Sequence, residues 1–241
     1  SPSALRLLMV GASVGLALAV KHTGVFILPI LFLLALCEVV LYRFGINRAL
    51  KLLGSLALIT LIGWVVLWSF YKFRYDARPQ GLQLNPPLAE YVKGLEPHEA
   101  WPISAMARLR ALPESYLYGF VDIKLTANYY TSYVLGQVYA HSVWFYFPVT
   151  FLIKSTVGVL ALFLLSLAVV VTRRLSRGRE ILFLLVPPSV YLAVALTTGM
   201  NIGVRHVLIV YVFLYVLIGG AAWVLIQKSR KWAYAVGVLL L

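Results

Sequence analysis

Six apolar runs of membrane-crossing length constrain this chain more than any other feature. They lie at about Leu5 to Val20, Thr23 to Tyr42, Leu52 to Phe70, Val149 to Val171, Ile181 to Thr198 and Val207 to Ile226. A hydrocarbon core about 30 Å thick takes about 20 helical residues to cross, and inside lipid a helix satisfies its own backbone donors and acceptors. A seventh run begins near Trp232 and stops at Leu241. With 62% hydrophobic and 12% charged residues and a mean hydropathy of +0.90, the composition lies outside the range of a soluble domain. The expected fold class is all-α and integral to the membrane, a multispan transmembrane helix bundle with a partly helical extracytoplasmic loop. Residues 1–70 would hold three spans, 71–144 the loop, and 145–241 three more spans plus the start of another.

The net charge of +13 follows this topology instead of forming one basic patch, which argues against a nucleic-acid partner. Short connectors with Arg43, Arg48 and Lys51, then Arg173, Arg174, Arg177 and Arg179, then Lys228, Arg230 and Lys231 alternate along the chain as the positive-inside rule requires. Those connectors would be cytoplasmic. Lys21-His22, the long loop and the Thr197 to His206 connector then share the opposite face. Lys72, Arg74 and Arg78 run against that assignment, but a long loop translocates largely regardless of charge.

Lys21, Lys154, Arg205 and His206 stand beside or within apolar runs on the assigned outer face. An ionisable group at the centre of a span costs about 2.5 to 3.5 kcal/mol on insertion scales, and an anionic ligand is one way to compensate several cations together. Each also has a plainer role. Lys21 and Lys154 can snorkel, and Arg205-His206 can anchor a helix at the interface. Cys37 is the only cysteine and lies inside an apolar run, so no intrachain disulfide can form.

The loop has an internal order. Pro79, Pro86, Pro87, Pro97 and Pro102 predict an extended first half. Pro102 and Pro113 then suit first-turn positions of helices over Ile103 to Leu112 and Glu114 to about Tyr133. Aromatic residues gather from Tyr116 to Phe147, suited to a headgroup-level belt or a sugar-stacking surface.

Three blocks in order resemble a known superfamily. Leu135-Gly136-Gln137 through Trp144-Phe145-Tyr146-Phe147-Pro148 to Lys154 resembles the aromatic "WYYFP...K" region of GT-C integral-membrane glycosyltransferases, specifically the protein O-mannosyltransferase and lipid A aminoarabinose transferase relatives of glycosyltransferase family 39. Ala19-Val20-Lys21-His22-Thr23 looks like their Thr-Lys element, and Asn201-Ile202-Gly203-Val204-Arg205-His206 is similar to their "NxGxRH" element. The sequence departs from the pattern at Gln137, where many relatives carry an acid, at Ser155-Thr156, where Thr-Pro is usual, and at Ile209 and Val212, where prolines often stand.

The resemblance implies transfer of a sugar from a polyprenyl- or dolichyl-phosphate donor to a protein, lipid or glycan acceptor at the extracytoplasmic face. Negative charge then builds on the departing lipid phosphate, where preorganised cations lower the barrier. Lys21, Lys154 and Arg205 would hold that phosphate, with His206 donating to it or orienting Arg205. His22, Glu114, Asp122, Gln137, Tyr139, His141 and Tyr146 are the candidate pocket residues. The resemblance puts the catalytic base in a first external loop near the amino terminus of such enzymes, and nothing here matches it. With Ser1 in place of methionine and an end in mid-run, the chain is expected to be a carboxy-proximal fragment. A divalent ion assists some members, and its carboxylate would belong to that upstream region. No zinc spacing, phosphate-binding glycine loop or nucleophile elbow is present. Two other classes share the cations: a transporter of an anionic substrate, and a non-catalytic lipid-carrier-binding subunit. The expected location is multi-pass, in the cytoplasmic membrane if bacterial or the endoplasmic reticulum if eukaryotic.

Overall fold

A computed structural model describes residues 3–78, 82–127, 129–172, 178–197, 199–201 and 203–240. Arg173, Arg174, Arg177, Pro79 and Ile202, all used in the sequence argument, lie outside the described residues. The chain divides into two compact units, Ser1–Tyr129 and Tyr130–Leu241. The division falls inside the predicted loop, so residues 71–129 belong with the first helices and 130–144 with the later ones.

The first unit opens with α1 (Ala4–Val20), whose first turn is capped by the Ser3 hydroxyl accepting from Arg6 N–H. Lys21 ends it in an extended conformation, and a 3₁₀ segment (His22–Phe26) leads into α2 (Ile27–Leu41). α3 (Ile46–Phe70) follows and packs along α1. Small residues permit that contact: a Cβ on Gly11 would stand 2.6 Å from Ile62 Cβ, and one on Gly15 would stand 2.5 Å from Val66 Cβ. In lipid, where apolar surface gains nothing by leaving the solvent, such close backbone approach is a main source of helix association.

Beyond α3 lies a small helical layer: α4 (Leu88–Tyr91), α5 (Pro97–Arg108) and α6 (Glu114–Ala127). Leu88, Val92, Leu95, Ile103, Leu117 and Val121 form its core, and Lys124 pairs with Glu99 at 2.6 Å. α5 begins five residues earlier than Pro102 suggests, because Pro97 takes the first helical position and Pro102 lies inside the helix. α3 holds this layer at its end. Trp64 and Trp68 both donate to the Ala111 carbonyl, at 2.6 and 3.2 Å.

In the second unit, residues Ser132–Val134 (β1) and Gln137–Tyr139 (β2) form an antiparallel hairpin where the sequence suggests helix up to about Tyr133. Its two-residue turn, Leu135-Gly136, has φ of 52° and 79°, the paired positive values that match the twist of a tight hairpin. The expected span over Val149 to Val171 is interrupted: α7 (Tyr146–Lys154) and α8 (Val157–Val171) meet at a bend of 117°. Ser155 is extended, and Thr156 caps α8 by accepting from Val159 N–H. α9 (Gly178–Thr197), a 3₁₀ turn (Val204–His206), α10 (Leu208–Lys228) and α11 (Arg230–Leu240) complete the unit.

Four segments are long and apolar enough to cross a membrane: His22–Leu41, α3, α9 and α10. The α7–α8 pair makes a fifth if it counts as one broken span. α1 has 17 residues, about 25 Å of helix. This is the architecture of an all-α, multi-pass membrane protein.

Candidate functional site

The candidate residues fall into two groups, one in each unit. In the first, Lys21 is exposed at the end of α1, and its carbonyl accepts from Gly24 N–H at 2.8 Å. His22 is turned to the helical layer. Its ring stacks on Tyr116 with centroids 4.8 Å apart, and its Nε2 donates to the Tyr116 carbonyl at 3.2 Å. A Cβ on Gly119 would meet that ring at 2.9 Å, so α6 leaves room for the imidazole at this point. The Lys21-His22 connector and the helical layer therefore share one end of the unit. Arg43, Arg48 and Lys51 lie at the opposite ends of α2 and α3, as the charge pattern implies for this unit.

The two candidate acids are in different surroundings. Glu114 opens α6 and its Oε2 accepts from Ala77 N–H at 2.9 Å. Asp122, exposed two turns later, accepts from the Tyr91 hydroxyl at 2.6 Å. That bond pushes the Tyr91 pKa up to about 12, because ionising the phenol would place two anions in contact. Burial does the same to Tyr116, also to about 12; its hydroxyl has no hydrogen-bond partner among the described residues.

In the second unit, the hairpin, the start of α7, the end of α9 and the start of α10 share an apolar cluster. Tyr146, Phe147, Val134, Val207 and Val210 are buried in it, with Tyr139 and Val204 against it. Gln137 Oε1 accepts from the Tyr139 hydroxyl at 2.9 Å, while the Tyr139 ring meets Phe145 edge-on at 5.7 Å. His141 is exposed. Arg205 is exposed and half-buried His206 follows it, between cluster residues Val204 and Val207. Gly203 enters this turn at φ 127°, ψ 164°, a conformation essentially reserved for glycine. Asn201 is 5% exposed and its Nδ2 donates to the Val143 carbonyl at 3.0 Å. That bond ties the connector before Arg205 to the residue before Trp144.

Lys154 is exposed in the last turn of α7, immediately before the bend. α7 touches both the hairpin and the Val204–His206 turn, so Lys154 and Arg205 are carried on elements in contact. At the bend the Ser155 hydroxyl is buried, and Phe151 of α7 meets the Tyr211 ring at 5.4 Å. The role of Asn201 as a tether, and the bend itself, escape a reading of the sequence. The N-capping residue Thr156 was the one local signal for the bend.

No family model, curated protein or solved structure matches the chain. Among the described residues, no three His, Cys, Asp or Glu side chains gather as metal ligands.

Proposed function

We propose that the chain is part of a GT-C type membrane glycosyltransferase that uses a polyprenyl- or dolichyl-phosphate sugar. The observation that supports this most is the Asn201–Val143 hydrogen bond, which fastens the block that ends in Arg205-His206 to the Leu135 to Lys154 block in one unit. Both blocks are among the three that resemble this class, and their cations are borne on touching elements. In the reaction the bond between the anomeric carbon and the phosphate oxygen breaks, and the acceptor oxygen forms the new bond to that carbon. The electron pair goes to the lipid phosphate, which Arg205 would meet with a forked contact and Lys154 with a compact one. The acceptor's proton goes to a base that none of the described residues supplies in this reading. Lys21, on the first unit, is a third phosphate-binding candidate. The acceptor is a protein, lipid or glycan at the extracytoplasmic face, of the cytoplasmic membrane in a bacterium or the endoplasmic reticulum in a eukaryote.

The test is sugar transfer by the full-length protein bearing Lys154→Ala, Arg205→Ala or Lys21→Ala. Losing one preorganised charge contact should lower transfer about 100-fold or more. Native transfer by the Lys154 and Arg205 variants would defeat the reading. Donor binding with no transfer by the native protein would identify a lipid-carrier-binding subunit, and movement of an anionic substrate across sealed vesicles would identify a transporter.

A further inference from the structure

The helical layer of the first unit contains a cavity of about 960 Å³ that plays no part in the chemistry above. Arg74, Arg78 and Arg108 line it together with Asp76 and Glu114. One wall, Arg74 to Arg78, is fastened at several points. The Tyr75 hydroxyl donates to Ala107 O at 3.1 Å, Glu114 N–H donates to Tyr75 O at 3.0 Å, and Ala77 N–H donates to Glu114 Oε2 at 2.9 Å. Glu114 is therefore partly committed to the backbone. Among the described residues none of the three arginines forms an ion pair, and Arg74 reaches only the Ala77 carbonyl, at 3.4 Å. Arg108 alone would be explained by its place in the last turn of α5, where the helix dipole favours a cation. Arg74 and Arg78 lie outside any helix, and the three guanidiniums of the lining outnumber its two carboxylates, Asp76 and Glu114, so the concavity has an excess of positive charge that an anion would meet.

We propose that this cavity binds a small molecule that bears an oxyanion, a phosphate or carboxylate. The three guanidiniums grip the oxyanion through forked hydrogen bonds, and Leu82 and Pro87 offer apolar surface to the rest of the molecule. The assignment concerns the helical layer alone and does not depend on the glycosyl-transfer reading.

Calorimetric titration of the whole chain in neutral detergent with glucose 6-phosphate, glucuronate and uncharged glucose tests it. A charged probe should bind where glucose does not, and its affinity should fall as salt rises, because exposed charges are screened. The combined Arg74→Gln, Arg78→Gln and Arg108→Gln variant should lose at least about tenfold in affinity, with its unfolding midpoint unchanged. Arg78→Gln alone should show a smaller loss in the same direction and serves if the combined variant misfolds. Repeating the titration in nanodiscs of zwitterionic and of phosphatidylglycerol lipid separates the sources. Competition by the anionic lipid identifies a headgroup as occupant; persistence of binding identifies a soluble group. No binding of either charged probe, equal binding of glucose, or native affinity in the arginine variants would overturn the proposal.

Discussion

His22 stacks on Tyr116 at 4.8 Å and donates to the same residue's carbonyl at 3.2 Å, joining the turn after α1 to the first turns of α6 across 94 positions of sequence. Among the described residues the neighbouring Lys21 is held only through its backbone, by Lys21 N–H to Ala17 O and Gly24 N–H to Lys21 O. The imidazole is thus a strut that fixes where the lysine emerges. His22→Ala should destabilise the first unit by about 1 to 2 kcal/mol, combining the lost ring contact and hydrogen bond. His22→Phe should recover the stacking part only. Thermal unfolding in detergent distinguishes the two; equal stability of native and alanine forms would remove the strut.

The α1–α3 contact predicts a steep size dependence. Gly15→Val places a side chain where even a Cβ meets Val66 at 2.5 Å, and should cost about 1 to 3 kcal/mol or prevent folding. Gly54, with nothing within 4 Å of an added Cβ, is the control: Gly54→Ala should be neutral or slightly stabilising through helix propensity. Yield and unfolding midpoint of the two variants read the difference directly.

Helices were legible where hydropathy was the signal, and the departures have physical causes. From Val149 to Val171 apolar residues continue across the α7–α8 bend with only Lys154, Ser155 and Thr156 between them, so a hydropathy window sees one span. Leu135-Gly136 turns a hairpin with a leucine at positive φ, a choice that turn preferences disfavour. The cations Lys21, Lys154 and Arg205 stood out because charge is rare in apolar sequence. Asn201 and Val143, 58 positions apart, and the arginines of the cavity become neighbours only through tertiary folding.

Alkaline pH should weaken the first unit through Tyr116. Its folded pKa of about 12 lies above the ordinary 10, so the folded form keeps its proton where the unfolded form loses it. The associated stability is complete below pH 10 and is lost as pH rises toward 12. Tyr116→Phe should reduce this dependence, leaving the share that Tyr91 contributes, while neutral-pH stability stays near native, because the buried hydroxyl has no hydrogen-bond partner among the described residues. In an absorbance titration at alkaline pH, Asp122→Asn should return Tyr91 toward 10 and leave Tyr116 unmoved. Retention of both late transitions in that variant would contradict the assigned cause.

The tether in the second unit predicts a separable effect. Asn201→Leu removes one of the two donors to the Val143 carbonyl, which keeps Tyr146 N–H, and should cost about 0.5 to 1.5 kcal/mol for the lost hydrogen bond. Asn201→Asp should also be destabilised, because a carboxylate cannot donate to that carbonyl. Unfolding midpoints of both variants check this, and a native-like Asn201→Leu protein would show that the bond carries no stability.

Binding of a short-chain polyprenyl phosphate to the whole purified chain, compared among the native, Lys154→Ala, Arg205→Ala and doubly substituted forms, tests the central claim most directly. Saturable binding by the native protein, about tenfold weaker in each single variant and weaker still in the double, is the predicted result. Native affinity in the double variant would contradict it.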